Sequence, residues 1–135
     1  MNQQHSNNPD AIDTYNPSKG KTTVAPDVLI TIAQLTSLEV NGVKRMANVP
    51  GGVDRIFQRG RAEGVRIILK DEVVNIDLYL ILAQDVNIRD VSRKVQQNVA
   101  RAISEMVGMQ VGRVNVHVED IDFSPETEEG QAAED

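Results

Sequence analysis

The sequence predicts an α+β domain. It should be a two-layer sandwich in the order helix–strand–strand–helix–strand. Its three-stranded mixed or antiparallel sheet should carry both helices on one face. Three observations predict this. Over residues 73–82, Val74, Ile76, Leu78, Leu80 and Leu82 alternate with Val73, Asn75, Asp77, Tyr79 and Ile81, the period of a strand with one face in the core. Directly after it, Ile88, Val91, Val95, Ala102 and Met106 recur at helical spacing, and Val99 and Ile103 widen the stripe. Finally, Val114, Val116 and Val118 alternate with Asn115, His117 and Glu119, which gives the closing strand.

The long helix has readable ends. Asn87 suits the N-cap, Asp90 favours the positive end, and Gly108 stands where a left-handed C-terminal cap is wanted. A helix from residue 88 to 107 is about 30 Å long, and the strand before it is about 33 Å. The two can bury their aliphatic faces along one another.

Taken in order, residues 1–21 are rich in Asn, Gln, Ser and Pro and read as a disordered arm. Residues 22–123 form one domain of modest core. Pro26 opens the first helix, whose stripe is Val28, Leu29, Ile32, Leu35 and Leu38, and the turn signal Asn41-Gly42 ends it. Residues 43–64 are irregular and read as a long loop. Val65, Ile67 and Leu69 mark a strand, and Lys70-Asp71-Glu72 turns it back as a hairpin. Residues 124–135 form an acidic, disordered tail.

The net charge of −6 comes mostly from that tail, which holds five acids and no base; without them, 15 acids face 14 bases. There is no cysteine, so disulfides, thiol nucleophiles and cysteine metal sites are excluded. The polar start has no apolar core of a signal peptide. No apolar run nears the roughly 20 residues of a membrane span, so no direct membrane insertion is expected. The reading is a cytoplasmic protein, peripheral to the membrane only through a partner.

Little catalytic chemistry is on offer. His117 has Glu119 two residues on, but no second histidine lies in the patterned region. An exposed or interface histidine is the plainer reading. Asp77 and Glu119 could meet across strands, yet an open sheet face gives neither cleft nor perturbed pKa. The glycines form neither a dinucleotide fingerprint nor a P-loop. No catalytic residue, metal ligand or cofactor site is assigned.

Two surfaces remain as candidates. One is the sheet face opposite the helices, where Ile68, Tyr79 and Ile81 stand among polar groups with Asp77 and His117. The other is basic: Arg55, Arg59 and Arg61 in the irregular stretch, then Arg89, Arg93, Lys94 and Arg101 on the long helix. A basic stripe can meet phosphates, although a solvated helix face is the plainer reading. The element order resembles part of a KH module, but the long helix has no glycine where that module needs its GXXG loop. Only Tyr79 on the sheet face could stack a base. Nucleic acid is therefore the alternative partner.

The run 73–121 resembles the alkaline shock protein family, the envelope stress response proteins of Gram-positive bacteria. The pieces that carry the resemblance are Asn75-Ile76-Asp77-Leu78-Tyr79, Val86-Asn87-Ile88, Val95-Gln96-Gln97-Asn98-Val99 and Val114-Asn115-Val116-His117-Val118. The front of the domain is similar to the family's opening helix and its loop, and the match is loose across 43–64. Residues 22–123 would then be a single alkaline-shock-like domain. The resemblance implies a non-enzymatic cytoplasmic protein of general stress response and cell envelope homeostasis. It implies an interaction or scaffold module whose partners are proteins, including itself and a small membrane-anchored protein. It also allows a regulatory partner role in fatty-acid metabolism. No catalytic residue carries over.

Overall fold

The computed structural model describes residues 12–14, 20–50 and 61–125. The expected arm, the tail from residue 126 and the basic residues Arg55 and Arg59 lie wholly or largely outside them. The elements are β1 (Ile12–Thr14), β2 (Thr22–Val24), α1 (Pro26–Leu38), β3 (Val43–Met46), β4 (Arg61–Ala62), β5 (Val65–Lys70), β6 (Val73–Ala83), α2 (Ile88–Val107) and β7 (Gln110–Asp122).

β6 organises the sheet because it is bonded on both edges. β7 runs parallel along one edge. The other edge is shared: β5 pairs antiparallel with residues 73–78 and β3 with residues 80–82. β4 then adds to β5. The α+β class and the helix–strand–strand–helix–strand core order hold. The sheet is mixed and has five strands rather than three, and β6 and β7 pair directly. The extra strands, β3 and β4, come from the stretch expected to be a loop. They have four and two residues, too few for alternation to show. The same reason hid β1 and β2, which form a separate two-stranded sheet.

Both helices cover one face. Val74, Ile76, Leu78, Leu80 and Leu82 of β6 meet Leu29, Ile30, Ile32 and Ala33 of α1 and Val91, Val95, Val99, Ile103 and Val107 of α2. Burying each such Leu or Ile stabilises the fold by about 1.5–3 kcal/mol. α2 ends as its sequence demands: Asn87 Oδ1 accepts from Asp90 N–H at 3.0 Å, and Gly108 takes φ +78°. α1 is rotated from its expected stripe. Val28, Leu35 and Leu38 are exposed, whereas Ile30, Ala33 and Ser37 are buried. Apolar residues surround most of α1, so its periodicity left two stripes to choose from. Gly42, at φ +108°, lets the chain pass α2, since a Cβ there would lie 2.8 Å from Val91 Cγ2.

The β5–β6 turn carries strain. Asp71 and Glu72 both adopt positive φ, +49° and +63°, as a two-residue hairpin turn requires. A side chain in that region costs about 1–2 kcal/mol, which exceeds the entropy lost by glycine. Glu72→Gly is therefore expected to stabilise the fold by up to about 1 kcal/mol, read from the urea midpoint at unchanged slope.

Candidate interaction face

The outward residues of β6 alternate with its core residues, so the strand that builds the core also builds the opposite face. On that face Asp77 stands opposite Arg66 of β5 and Asn115 of β7. Arg66 donates to Asp77 Oδ2 from Nη2 at 2.9 Å and from Nε at 3.3 Å. Asn115 Nδ2 donates to Oδ1 at 2.9 Å, and His117 Nε2 lies 3.4 Å from the same oxygen. The carboxylate thus ties three strands together. It is only 7% exposed. Burial pushes its pKa up, but the hydrogen bonds from Asn115, Arg66 and His117 outweigh that and hold it below the usual carboxylate range.

Tyr79 and His117 are direct neighbours across β6 and β7. Their rings stack with centroids 4.5 Å apart and planes 14° from parallel. Farther along, Arg45 of β3 donates to Asp122 of β7 at 2.8 Å. Since Arg45 is opposite Ile81 and Asp122 is opposite Ala83, this pair bridges across β6. The Arg45 bond holds the Asp122 carboxyl well below its ordinary pKa. At the other end Asn75 Oδ1 accepts from the N–H of Arg113 at 2.8 Å, where β7 bulges. Gly112 permits this, because a Cβ would fall 2.5 Å from that oxygen.

The expected face residues Ile68, Asp77, Tyr79, Ile81 and His117 do share this face, but they differ in access. Ile68 is 44% exposed, His117 and Ile81 are half-buried, and Asp77 and Tyr79 are buried beneath their neighbours. Asp77 does not face Glu119. A second bulge places Glu119 between the partners of Leu80 and Ile81. The Asn75 and Arg45–Asp122 contacts were missed because they depend on strand order, for which the chain carries no local signal.

Among the described residues the basic candidates do not form one surface. Arg66 and the backbone of Arg61 belong to the sheet, whereas Arg89, Arg93, Lys94 and Arg101 are exposed on α2 in the helix layer. Arg93 lies 3.6 Å from Asp90. Lys94 and Arg101 border two shallow clefts between the helices, each shared with the acid Glu39. Among the described residues no group of three His, Asp or Glu could hold a metal. No helix among them is long and apolar enough to cross a membrane.

Residues 14–123 match the model of the alkaline shock protein 23 family, described as having a cell envelope-related function. The chain belongs to that family. It is 30% identical to the uncharacterized protein YqhY of Bacillus subtilis, over 86% of this chain and 87% of that one. Two uncharacterized proteins of Streptococcus pyogenes, Spy1614 and Spy1535, are 26% and 28% identical over 78% and 76% of this chain and 91% and 79% of their own. The expected resemblance to the alkaline shock proteins is thereby established.

The lowered pKa of Asp77 sets a pH dependence. A carboxylate with a depressed folded pKa contributes stability that is present above the unfolded pKa of about 3.9 and is lost as pH falls through the folded value. Asp77→Asn should lower stability at neutral pH by roughly 1–3 kcal/mol. It should also flatten the loss of stability that sets in as pH falls below about 5, as followed by urea unfolding at each pH.

Proposed function

We propose that this alkaline-shock-family chain is a non-enzymatic interaction module of the cell envelope, and that its sheet face receives a protein partner that holds it there. The arrangement around Asp77 carries the reading. It is a buried, fully hydrogen-bonded carboxylate flanked by a stacked Tyr79–His117 pair and by the exposed Ile68. A carboxylate held charged and paired on both oxygens is a poor general acid or base at neutral pH. It is well suited to fixing the side chains around it. Rigid aromatic and guanidinium groups on a preorganised face lose little entropy on binding. Cytoplasmic placement with peripheral recruitment follows from the same reading. Among the described residues the cations divide between the sheet and α2, where they share their clefts with Glu39, which supports a protein over a nucleic acid, since a phosphate backbone needs cations gathered on one side.

Ile68→Glu tests this without disturbing the core, because Ile68 points outward beside Asn75. In cells that make the chain, the wild type should sediment with the envelope fraction and the variant should move to the supernatant, with both showing the same circular dichroism. An unchanged distribution would overturn the assignment of the partner to this face.

A further inference from the structure

Two charged features are used neither by the core nor by the sheet face: the outer surface of α2 and the acidic residues after Pro125. On α2, Arg89, Arg93, Lys94 and Arg101 are all exposed. By helical spacing, Arg93, Lys94 and Arg101 fall on the side away from Val91, Val95, Val99, Ile103 and Val107, which enter the core, and Arg89 flanks them. Arg93 lies 3.6 Å from Asp90. Among the described residues Arg89, Lys94 and Arg101 make no ion pair. Glu105 stands one turn beyond Arg101, so this surface has a net positive charge. Residues 126–135 are the reverse: they hold Glu126, Glu128, Glu129, Glu134 and Asp135 and no base.

The topology delivers one to the other. β7 runs parallel to β6, and Asp122 stands opposite Ala83 at the far end of the sheet. α2 starts at Ile88, a short turn after Ala83. The chain therefore leaves the sheet at the end of the domain where α2 begins, the end that carries Arg89, Arg93 and Lys94. The exit is bent: Ser124 N–H donates to Asp122 Oδ1 at 2.9 Å, an Asx-turn that takes the chain off the line of the strand. The reach suffices. Residues 126–135 span up to about 35 Å when extended, whereas Arg89 to Arg101 covers about 18 Å of helix. The spacing of the charges also corresponds. Three acids come within 126–129 and two at 134–135, separated by Gly130-Gln131-Ala132-Ala133; three cations come within 89–94 and one at 101.

We infer that residues 126–135 seat along the outer surface of α2. Glu126, Glu128 and Glu129 meet Arg89, Arg93 and Lys94, and Glu134 and Asp135 reach Arg101, so the segment runs in the direction of the helix. Each exposed pair is weak alone. Attachment to the same chain supplies an effective concentration on the order of millimolar, so several weak pairs together hold the segment. The basic surface of α2 is then filled from within, and an external polyanion meets it only by displacing the segment. The contact lies on the helix layer, whereas the interaction-face reading uses the opposite face at Ile68, so the two can fail separately.

The test is paramagnetic NMR on the full chain. There is no native cysteine, so Ala133→Cys takes a single spin label. At low salt the label should erase amide signals of α2 around residues 89–101 and spare Ile68 on the other face. In about 1 M salt, where charges are screened within about 3 Å, the signals should return. The variant R93E/K94E/R101E should also restore them, with unchanged circular dichroism because these side chains are exposed. Adding E126K/E128K/E129K/E134K to that variant should bring the loss back. Signal loss that is absent at low salt, that falls away from α2, or that survives the charge reversal would overturn the contact. So would an equal loss in isotope-labelled chains mixed with separate spin-labelled chains, which would place the segment on a neighbouring molecule.

Discussion

The structure depends on a buried carboxylate at the centre of a strand that has no free edge. β6 is bonded on both sides, so its outward side chains are hemmed in by those of β5, β3 and β7. A charge placed there cannot rely on water. Asp77 stays ionised because Arg66 and Asn115 give it directed hydrogen bonds and His117 stands beside it. An unpaired charge at such a depth would cost roughly several kcal/mol. The three strands are thus held in register from above by one side chain and from below by the aliphatic core.

The same carboxylate gives the face its character. Helices cover the other side, so the Asp77 side is the uncovered face of the sheet. Its order runs along the sheet: Asn75 pins the first bulge, Asp77 gathers its three partners, Tyr79 stacks on His117, and the Arg45–Asp122 bridge passes over the far end. Each is a cross-strand contact between neighbours or next neighbours. A surface so fully bonded to itself has few soft groups to rearrange when something docks. That rigidity is what the proposed interaction role rests on.

Legibility in the sequence followed the length of each pattern. The eleven residues of β6 and the twenty of α2 carry enough repeats to give the elements and their boundaries, and their caps and hairpin turn were readable residue by residue. The buried face of α2, however, runs through Val91, Val95, Val99, Ile103 and Val107, and Ile88 and Met106 of the expected stripe are exposed. The short strands β3 and β4 were not readable, because two to four residues cannot show a period. α1 was legible as a helix but not in its rotation, since apolar residues surround most of it; Leu35 lies exposed as a result. For the face, Asp77, Tyr79 and His117 could be placed together by alternation alone. Their mutual contacts could not, because these require β5, β6 and β7 to be adjacent in that order, and the two bulges of β7 shift the later residues off simple alternation. Glu119 shows the cost of that shift.

If Asp77 makes the three strands one energetic unit, residues that touch it from opposite sides must be coupled. A double-mutant cycle on Arg66→Ala and Asn115→Ala measures this most directly, because the two contact Asp77 from different strands. Their effects on unfolding free energy should not add, with a coupling of about 0.5–3 kcal/mol that vanishes when the cycle is repeated in an Asp77→Asn background. Strictly additive effects would show that β5 and β7 are anchored independently and that the face is not organised by its carboxylate.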